Sequence, residues 1–372
     1  EKFEWTSLFF GLGIADGVGG VSDPSRNVGC PNFDNRACTS KAQMDALGYP
    51  DATTIGLARH ASVTSFMKRI RIPTMLMQGQ GDTLFNLQES VATYRALRQQ
   101  HTPVRLVWQS WGHSTSTPAP GEYSESNPPK TYEGRLIVRW FNHYLKRKGP
   151  KPRMDFRYFR DWVHYHGIAT PAYAKAKRYP VGHGRRYLLS GSGSLVRRAS
   201  KVQSGQATFS AAAGPATSYT ETSAFDQSQP VTDAPGTFAQ FSTGALKRNL
   251  TVVGSPKVRV RVDDPVVAAG QSSDPAAHLV LFFKLYDIQP DGTVILPHRL
   301  IAPVRVTDVT KPFNVQLAGI VHRFPKGDRI SLTVAGSDLA YKGNDATSSV
   351  SILADPGKPG SLTLPVVGRR SR

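Results

Sequence analysis

The spacing of apolar residues divides the chain into three stretches. Residues 1–68 contain short helical patterns that glycine and proline interrupt. Residues 69–150 contain two short apolar runs that alternate with two patterns of helical period, and from residue 151 onward short runs alternate between apolar and polar positions. The middle stretch predicts an α/β layer with parallel strands, whereas many short strands without helices predict a β-sandwich or jelly roll.

The middle stretch carries the clearest signals. Residues 74–78 and 104–108 are apolar runs that follow proline, as expected for strands buried in a parallel sheet. Between them, Asn86 can cap a helix, with Glu89 three residues later completing a capping box. The apolar face of this helix comprises Leu87, Val91, Tyr94 and Leu97.

A second helix is predicted over residues 132–146. Its apolar stripe is formed by Ile137, Phe141 and Leu145, with Trp140 and Tyr144 beside them, and Gly149-Pro150 ends the helical pattern. The change of periodicity at this point places a domain boundary near residue 150. We therefore expect three parts, which cover residues 1–68, 69–150 and 151–372.

Asp82 and His113 are the candidate catalytic residues, because each follows the carboxyl end of a predicted strand. Open α/β sheets place their sites at this edge. A carboxylate that bonds to one imidazole nitrogen fixes the tautomer and stabilises the imidazolium while the other nitrogen takes a proton from a nucleophile. Taken singly, Asp82 is also compatible with a turn at a helix start, and His113 with an exposed loop.

Cysteine content bears on the compartment. Cys30 and Cys38 lie in one loop rich in turn residues, a spacing that favours a local disulfide and an oxidising location, secreted or in the cell envelope. Two unlinked thiols in a cytosolic enzyme are the alternative. No second ligand pair occurs at zinc-finger spacing, and no apolar run reaches the roughly 18 residues of a transmembrane helix.

The chain has a formal net charge of +19, and much of it lies in residues 146–201, where fifteen Lys or Arg residues face two acids. Nucleic-acid binding domains combine such charge with a recognisable motif, and none is present. We expect no nucleic-acid partner, and interpret the segment as a solvated basic surface or a contact to an anionic cell-envelope polymer.

Several segments resemble one family in the same order along the chain. Residues 72–82 (IPTMLMQGQGD), 111–113 (WGH) and 140–146 (WFNHYLK) are similar to the acid strand, histidine segment and closing helix of Xaa-Pro dipeptidyl-peptidase and cocaine-esterase-like (CocE/NonD) serine hydrolases. The later similar segments are residues 187–189, 250–256, 285–292 and 324–330. The resemblance covers residues 68–365.

The resemblance implies a function and a fold. It implies the rear part of an α/β-hydrolase domain, preceded over residues 1–68 by the end of a helical cap and followed by a jelly roll. Asp82 and His113 would complete a triad that cleaves small peptide amides or esters, with Xaa-Pro dipeptide release as the family-level expectation. It implies neither a metal nor an organic cofactor.

The chain departs from the family at the nucleophile. A Gly-x-Ser-x-Gly elbow should precede the acid, but no such motif occurs in the sequence. We expect the serine and the oxyanion hole on an N-terminal part of the hydrolase that precedes Glu1. The competing interpretation is a non-catalytic jelly-roll module that binds an anionic envelope polymer.

Further side chains have weaker signals. Three aromatic residues, Trp108, Trp111 and Tyr123, are candidates for a substrate pocket, although core packing explains the tryptophans equally well. His164 and His166 alternate as on a strand, and neither they nor His60 have a spacing typical of metal ligands.

Overall fold

A computed structural model describes the protein over residues 2–17, 30, 32–213, 217–220 and 230–368. For residues 14–17 it describes the backbone alone. Gly19 and Gly20, which the sequence marks as breaks in the helical pattern, lie outside these ranges. The three preceding glycines of that region, Gly11, Gly13 and Gly17, lie within a helix.

Helices dominate the first part of the described chain. The α-helices are α1 Phe3–Gly17, α2 Asn35–Leu47, α3 Ala52–Ala61, α4 Leu87–Gln99, α5 Tyr132–Tyr144 and α6 Pro265–Gly270. Side chains that accept backbone N–H groups start several of them: Asp34 bonds to Arg36 N, and Asp51 to Thr54 N. Cys30 and Cys38 form a disulfide at α2, as predicted.

A four-stranded sheet is built from strands that precede, separate and follow α4 and α5 in the chain. Its strands are β1 Thr74–Gly79, β2 Val104–Gln109, β3 Phe156–Phe159 and β4 Tyr173–Ala176, in that spatial order. β1, β2 and β3 run parallel and β4 is antiparallel, so the predicted parallel α/β layer is confirmed. The domain division at residue 150 stays a prediction, and sheet pairing joins residues 156–176 to the α/β layer.

The remaining strands form a β-sandwich. They are β5 His183–Ser190, β6 Ser194–Val196, β7 Gly205–Ala211, β8 Phe238–Ser242, β9 Leu250–Gly254, β10 Lys257–Val260, β11 Val262–Asp263, β12 Leu279–Ile288, β13 Val294–Ile295, β14 Ala302–Val306, β15 Phe313–Gln316, β16 Ile320–Phe324, β17 Arg329–Ala335, β18 Ser348–Ala354 and β19 Ser361–Val367. A small sheet of β11, β18 and β7 accompanies the large sheet, whose longest path runs from β13 to β15.

Two hydrophobic clusters stabilise the sandwich and its packing against the α/β layer. The larger is built from inward-facing residues of the sandwich, including Phe241, Phe283 and Phe324. A second cluster joins α4 and β2 to Val253 on β9 and Val321 on β16. Because this cluster draws on both parts of the chain, the sandwich packs directly onto the layer that carries Asp82 and His113.

Helix α4 matches its prediction closely. All four residues of the predicted face are buried, and Asn86 caps the helix by accepting Gln88 N at 3.0 Å. The bond goes to the second helical residue rather than to Glu89, the partner that the capping box requires. The physical role of Asn86, to satisfy an otherwise unpaired N–H, is the same.

Helix α5 presents a different face to the core than the sequence indicates. Phe141 and Leu145 of the predicted stripe are 50% and 73% exposed, whereas Leu136 and Trp140 are buried. The Arg105 guanidinium lies over the Trp140 ring, 5.8 Å from its centroid. The prediction that Phe141 and Leu145 face the core is therefore wrong, and Trp140, predicted beside that stripe, is buried instead.

Strand β1 is only half-buried, although the sequence predicts a buried strand. Within the described residues it pairs with β2 alone, so its outer edge bears unpaired backbone groups.

None of the described helices is long and apolar enough to cross a bilayer.

The orientation of α5 is testable with neighbouring aromatic residues. Trp140→Ala is expected to lower the free energy of unfolding by about 3 kcal/mol, because it removes a buried indole and leaves a cavity. Phe141→Ala is the matched control and should change it by less than about 0.5 kcal/mol. Denaturant titration measures both; equal losses would contradict the orientation.

Candidate active site

The parallel pairing of β1 and β2 brings the candidate residues to one edge of the sheet. Gly79 at the end of β1 is paired with Gln109 at the end of β2. Asp82 follows β1 by three residues, and His113 follows β2 by four. Both loops therefore leave the sheet side by side, at the edge where α/β proteins place their sites.

Glycines let these two loops touch through their backbones. A Cβ atom on Gly79 would lie 1.8 Å from the carbonyl oxygen of Trp111, and one on Gly112 would lie 2.7 Å from Cβ of Asp82. Ser114 N donates to the carbonyl of Gly81 at 3.1 Å, which ties the loops together. Larger residues would separate the loops and, with them, the two functional side chains.

The carboxylate of Asp82 is fixed by four hydrogen bonds. Its Oδ2 lies 2.9 Å from His113 Nδ1, and Oδ1 accepts the backbone N–H groups of Leu84 at 3.1 Å and Phe85 at 2.7 Å. The Gln78 side-chain amide donates to Oδ2 at 3.3 Å. Asp82 is 4% exposed, so it is a buried acceptor whose orientation the protein determines.

His113 presents its other ring nitrogen for chemistry. Its side chain is 47% exposed, and no described residue forms a hydrogen bond with Nε2. Trp5 and Phe85 contact the imidazole edge to face, with ring centroids 6.3 and 5.7 Å away. With Nδ1 bonded to Asp82, the proton on the ring belongs on Nδ1, and Nε2 is the basic position.

Helix α1 packs against the loops that carry Asp82 and His113. Trp5 Nε1 donates to Thr83 Oγ1 at 3.2 Å, and the Thr83 hydroxyl pairs with that of Ser114 beside His113. The Lys2 ammonium donates to the backbone carbonyl of Thr83. These contacts join α1 and the residue before it to the loops that carry Asp82 and His113.

A cleft of about 540 Å³ opens in front of Asp82 and His113. Of the three predicted pocket aromatics, Trp111 lines it. Tyr123 stacks on Trp111 with ring centroids 5.8 Å apart, outside the lining. Trp108 is fully buried in the core beside Phe156, so of the two interpretations left open for it, core packing is the one observed.

The remaining histidines do not form a metal site in the part of the chain that the structure describes. It contains no group of three or more His, Cys, Asp or Glu side chains arranged around an ion. His60 lies in α3. His164 and His166, expected on a strand, lie in the loop between β3 and β4.

Sequence reasoning missed several residues of the site. Trp5 and Phe85 flank the imidazole, and Gln78 orients the acid. Phe85 carries a detectable signal, because it is an aromatic residue between a strand-end aspartate and a helix cap. Trp5 carries none, since it is distant in sequence from both loops.

A family comparison applies to the second half of the chain. Residues 185–349 match the family described as "X-Pro dipeptidyl-peptidase C-terminal non-catalytic domain". The match covers 165 of the 372 residues, less than half of the chain. The resemblance found in the sequence is confirmed. Asp82 and His113 both precede the matched residues in the chain. No curated protein is similar enough in sequence to match the chain.

Solved structures share the fold across both parts. An aminopeptidase from a marine sediment Thaumarchaeota archaeon has 14% identity and a TM-score of 0.61, over 90% of this chain and 62% of that one. An α-amino acid ester hydrolase has 16% identity and a TM-score of 0.58, over 94% of this chain and 65% of that one. A CocE/NonD family hydrolase from Staphylococcus aureus has 13% identity and a TM-score of 0.52, over 81% of this chain and 55% of that one. The chain thus spans less than two thirds of each neighbour.

The contact between the two loops gives a direct prediction. Gly79→Ala is expected to destabilise the protein by about 1–3 kcal/mol, because its Cβ collides with the Trp111 backbone. It should also move the imidazole resonances of His113. Gly56→Ala, whose Cβ meets nothing within 4 Å in α3, is the control and should raise stability by about 0.5–1 kcal/mol. Thermal unfolding and histidine NMR measure both; an unperturbed His113 in Gly79→Ala would disprove the constraint.

Proposed function

We propose that the chain supplies the acid and the base of a serine hydrolase. The observation that carries the proposal is the hydrogen bond of 2.9 Å between buried Asp82 and His113 at the ends of neighbouring parallel strands. This pair faces a cleft and leaves Nε2 of the histidine available. The acid-before-histidine order is that of α/β-hydrolases.

The proposed reaction is acyl transfer to a serine and then to water. Nε2 of His113 takes the hydroxyl proton as the serine oxygen bonds to the substrate carbonyl carbon, and Asp82 stabilises the resulting imidazolium. The imidazolium then protonates the leaving amine or alcohol as its bond to carbon breaks. Water, deprotonated by Nε2, attacks the acyl-serine, and the serine leaves with the proton.

The serine belongs, in this proposal, to a segment outside the present sequence. Two observations support it. Among the described strands, only β2 pairs with β1, and an additional parallel strand would pair with the outer edge of β1. The hydrolase structures that share the fold are longer than this chain, which covers 62% and 65% of the first two. The segment would also supply the oxyanion hole.

The substrate class follows from the relatives and from the cleft. The similar structures include an aminopeptidase and an α-amino acid ester hydrolase, and the matched family is named for Xaa-Pro dipeptidyl-peptidases. We propose small peptide amides or esters, with release of Xaa-Pro dipeptides as the specific case. The sandwich is proposed to be a jelly roll, and the Cys30–Cys38 disulfide supports a secreted or cell-envelope location.

A non-catalytic binding module is the second candidate. Its support is the printed description of the matched domain as non-catalytic and the excess of basic residues in 146–201. In this alternative the sandwich and the basic surface hold an anionic envelope polymer. The alternative gives the Asp82–His113 pair no function.

Fluorophosphonate labelling of the native preparation distinguishes the two candidates. The expected result is one labelled serine, located by peptide mapping in a segment continuous or associated with this chain. The absence of label in any co-purifying peptide would disprove the hydrolase and leave the binding module. A label that appears without the present chain would show that the pair is dispensable.

Substitutions test the roles of the pair in the labelled assembly. His113→Gln and Asp82→Asn should each slow hydrolysis by about 10⁴-fold, since the base or its correct tautomer is lost. His322→Gln is a matched control, because His322 Nε2 also bonds to a buried acid, Asp287, at 2.7 Å but in the sandwich. It should leave the hydrolysis rate within a few-fold, measured with a chromogenic ester.

A further inference from the structure

Two glutamates are buried directly behind the loop that carries His113. Glu122 follows this loop and Glu133 lies in the first turn of α5; they are 0% and 1% exposed. Tyr173 on β4 lies between them. The proposed hydrolase chemistry does not use any of these side chains. Neither carboxyl group forms an ion pair with another residue that the structure describes, so their burial requires an explanation.

Glu122 is surrounded by donors from the loop. Its Oε1 accepts Ser110 N at 2.9 Å, and its Oε2 accepts Ala119 N at 2.9 Å and the hydroxyl of Ser110. Tyr173 Oη lies 2.6 Å from Oε1. Both oxygens of Glu122 therefore act as acceptors.

Glu133 has a different set of contacts. Its carboxyl group accepts one N–H donor, Nε1 of Trp111, at 3.2 Å from Oε2. Its Oε1 lies 2.9 Å from Tyr173 Oη, the same oxygen that contacts Glu122. A phenol has a single O–H, which can be donated to one of the two carboxyl groups only. The other carboxyl group must donate to the phenol oxygen, and for that it must hold a proton.

The assignment of the proton follows from the two sets. Glu122 already accepts three other donors, so the phenol proton goes to Glu122 and the additional proton resides on Glu133. We propose that Glu133 is protonated in the folded protein at neutral pH, and that the chain Glu133–Tyr173–Glu122 positions the segment from Ser110 to His113. The role in positioning His113 rests on the proposed function, whereas the protonation does not.

Burial and charge agree with this assignment. Loss of water and then the neighbouring Glu122 charge raise the pKa of Glu133 to about 9. Burial between the two acids also raises the pKa of Tyr173 well above its ordinary value, so the phenol keeps its proton. Two further tyrosines complete the surroundings: Tyr165 lies near Glu122, and the Tyr132 ring stacks on Tyr173.

The chain of hydrogen bonds acts on the site through two neighbours of His113. Glu122 holds the backbone and hydroxyl of Ser110, and Glu133 holds the indole of Trp111. Trp111 lines the cleft and its carbonyl meets Gly79 at the contact between the loops. Glu122, Glu133 and Tyr173 are therefore positioning residues, which act through Ser110 and Trp111.

Infrared difference spectroscopy of the 372-residue chain tests the protonation. The expected result is a carbonyl band of a protonated carboxyl group at pH 7 that disappears in Glu133→Gln. The band should persist in the control Glu125→Gln, which changes an exposed glutamate between Glu122 and α5. Persistence of the band in Glu133→Gln, or its absence in the unchanged protein, would overturn the proposal.

Thermal unfolding and NMR test the positioning. The pKa of Glu133 is higher in the folded than in the unfolded protein, so the folded state binds the proton more tightly. The contribution of Glu133 to the free energy of unfolding is therefore largest below about pH 4.5 and declines as the pH rises towards 9. Glu133→Gln, which keeps a neutral side chain with a donor, should flatten this decline and preserve the His113 ring resonances. Tyr173→Phe should shift them.

The outcomes separate this proposal from the proposed function. An unchanged pH slope in Glu133→Gln, or unshifted His113 resonances in Tyr173→Phe, would disprove the positioning role. If Tyr173→Phe fails to fold, the infrared band and the slope of Glu133→Gln still decide. A confirmed proton together with an absent fluorophosphonate label would retain the carboxyl pair and reject the hydrolase.

Discussion

The close approach of two backbone loops is the constraint on which the site depends. Gly79 and Gly112 lack side chains where Trp111 and Asp82 pack against them, and this absence sets the separation of the loops. The bond between Asp82 and His113 needs that separation, as does the bond of the Trp111 indole to Glu133. The parallel register of β1 and β2 delivers both loops to one edge, but the glycines determine whether the side chains meet.

The sequence pattern predicts those features that are determined by residues close together in the chain. The buried face of α4, its cap at Asn86 and the strand-end positions of Asp82 and His113 all follow from spacing. The face of α5 does not, because two adjacent apolar stripes share that helix, and contact with the Arg105 side chain decides in favour of Trp140. The identities of buried polar residues are equally out of reach from local patterns.

Glu122 and Glu133 illustrate this limit in physical terms. In a sequence, glutamate indicates an exposed position, because an isolated carboxylate is costly to bury. Both carboxyl groups are buried here with partners, and the one that they share is Tyr173, which is 40 residues from Glu133 and 51 from Glu122. The antiparallel pairing of β4 with β3 brings Tyr173 beside the two glutamates, and a local sequence pattern does not predict such a pairing.

The shared hydrophobic cluster has an evolutionary consequence. Val253 and Val321 of the sandwich complete the same core as Trp108 and the buried face of α4. Recombination that exchanged the sandwich for an unrelated one would therefore remove part of the packing beneath the loops of Asp82 and His113. The two parts are expected to descend as a unit, with compensating changes in one following substitutions in the other. If the proposed hydrolase is correct, selection on its chemistry would also act on a domain that is described by itself as non-catalytic.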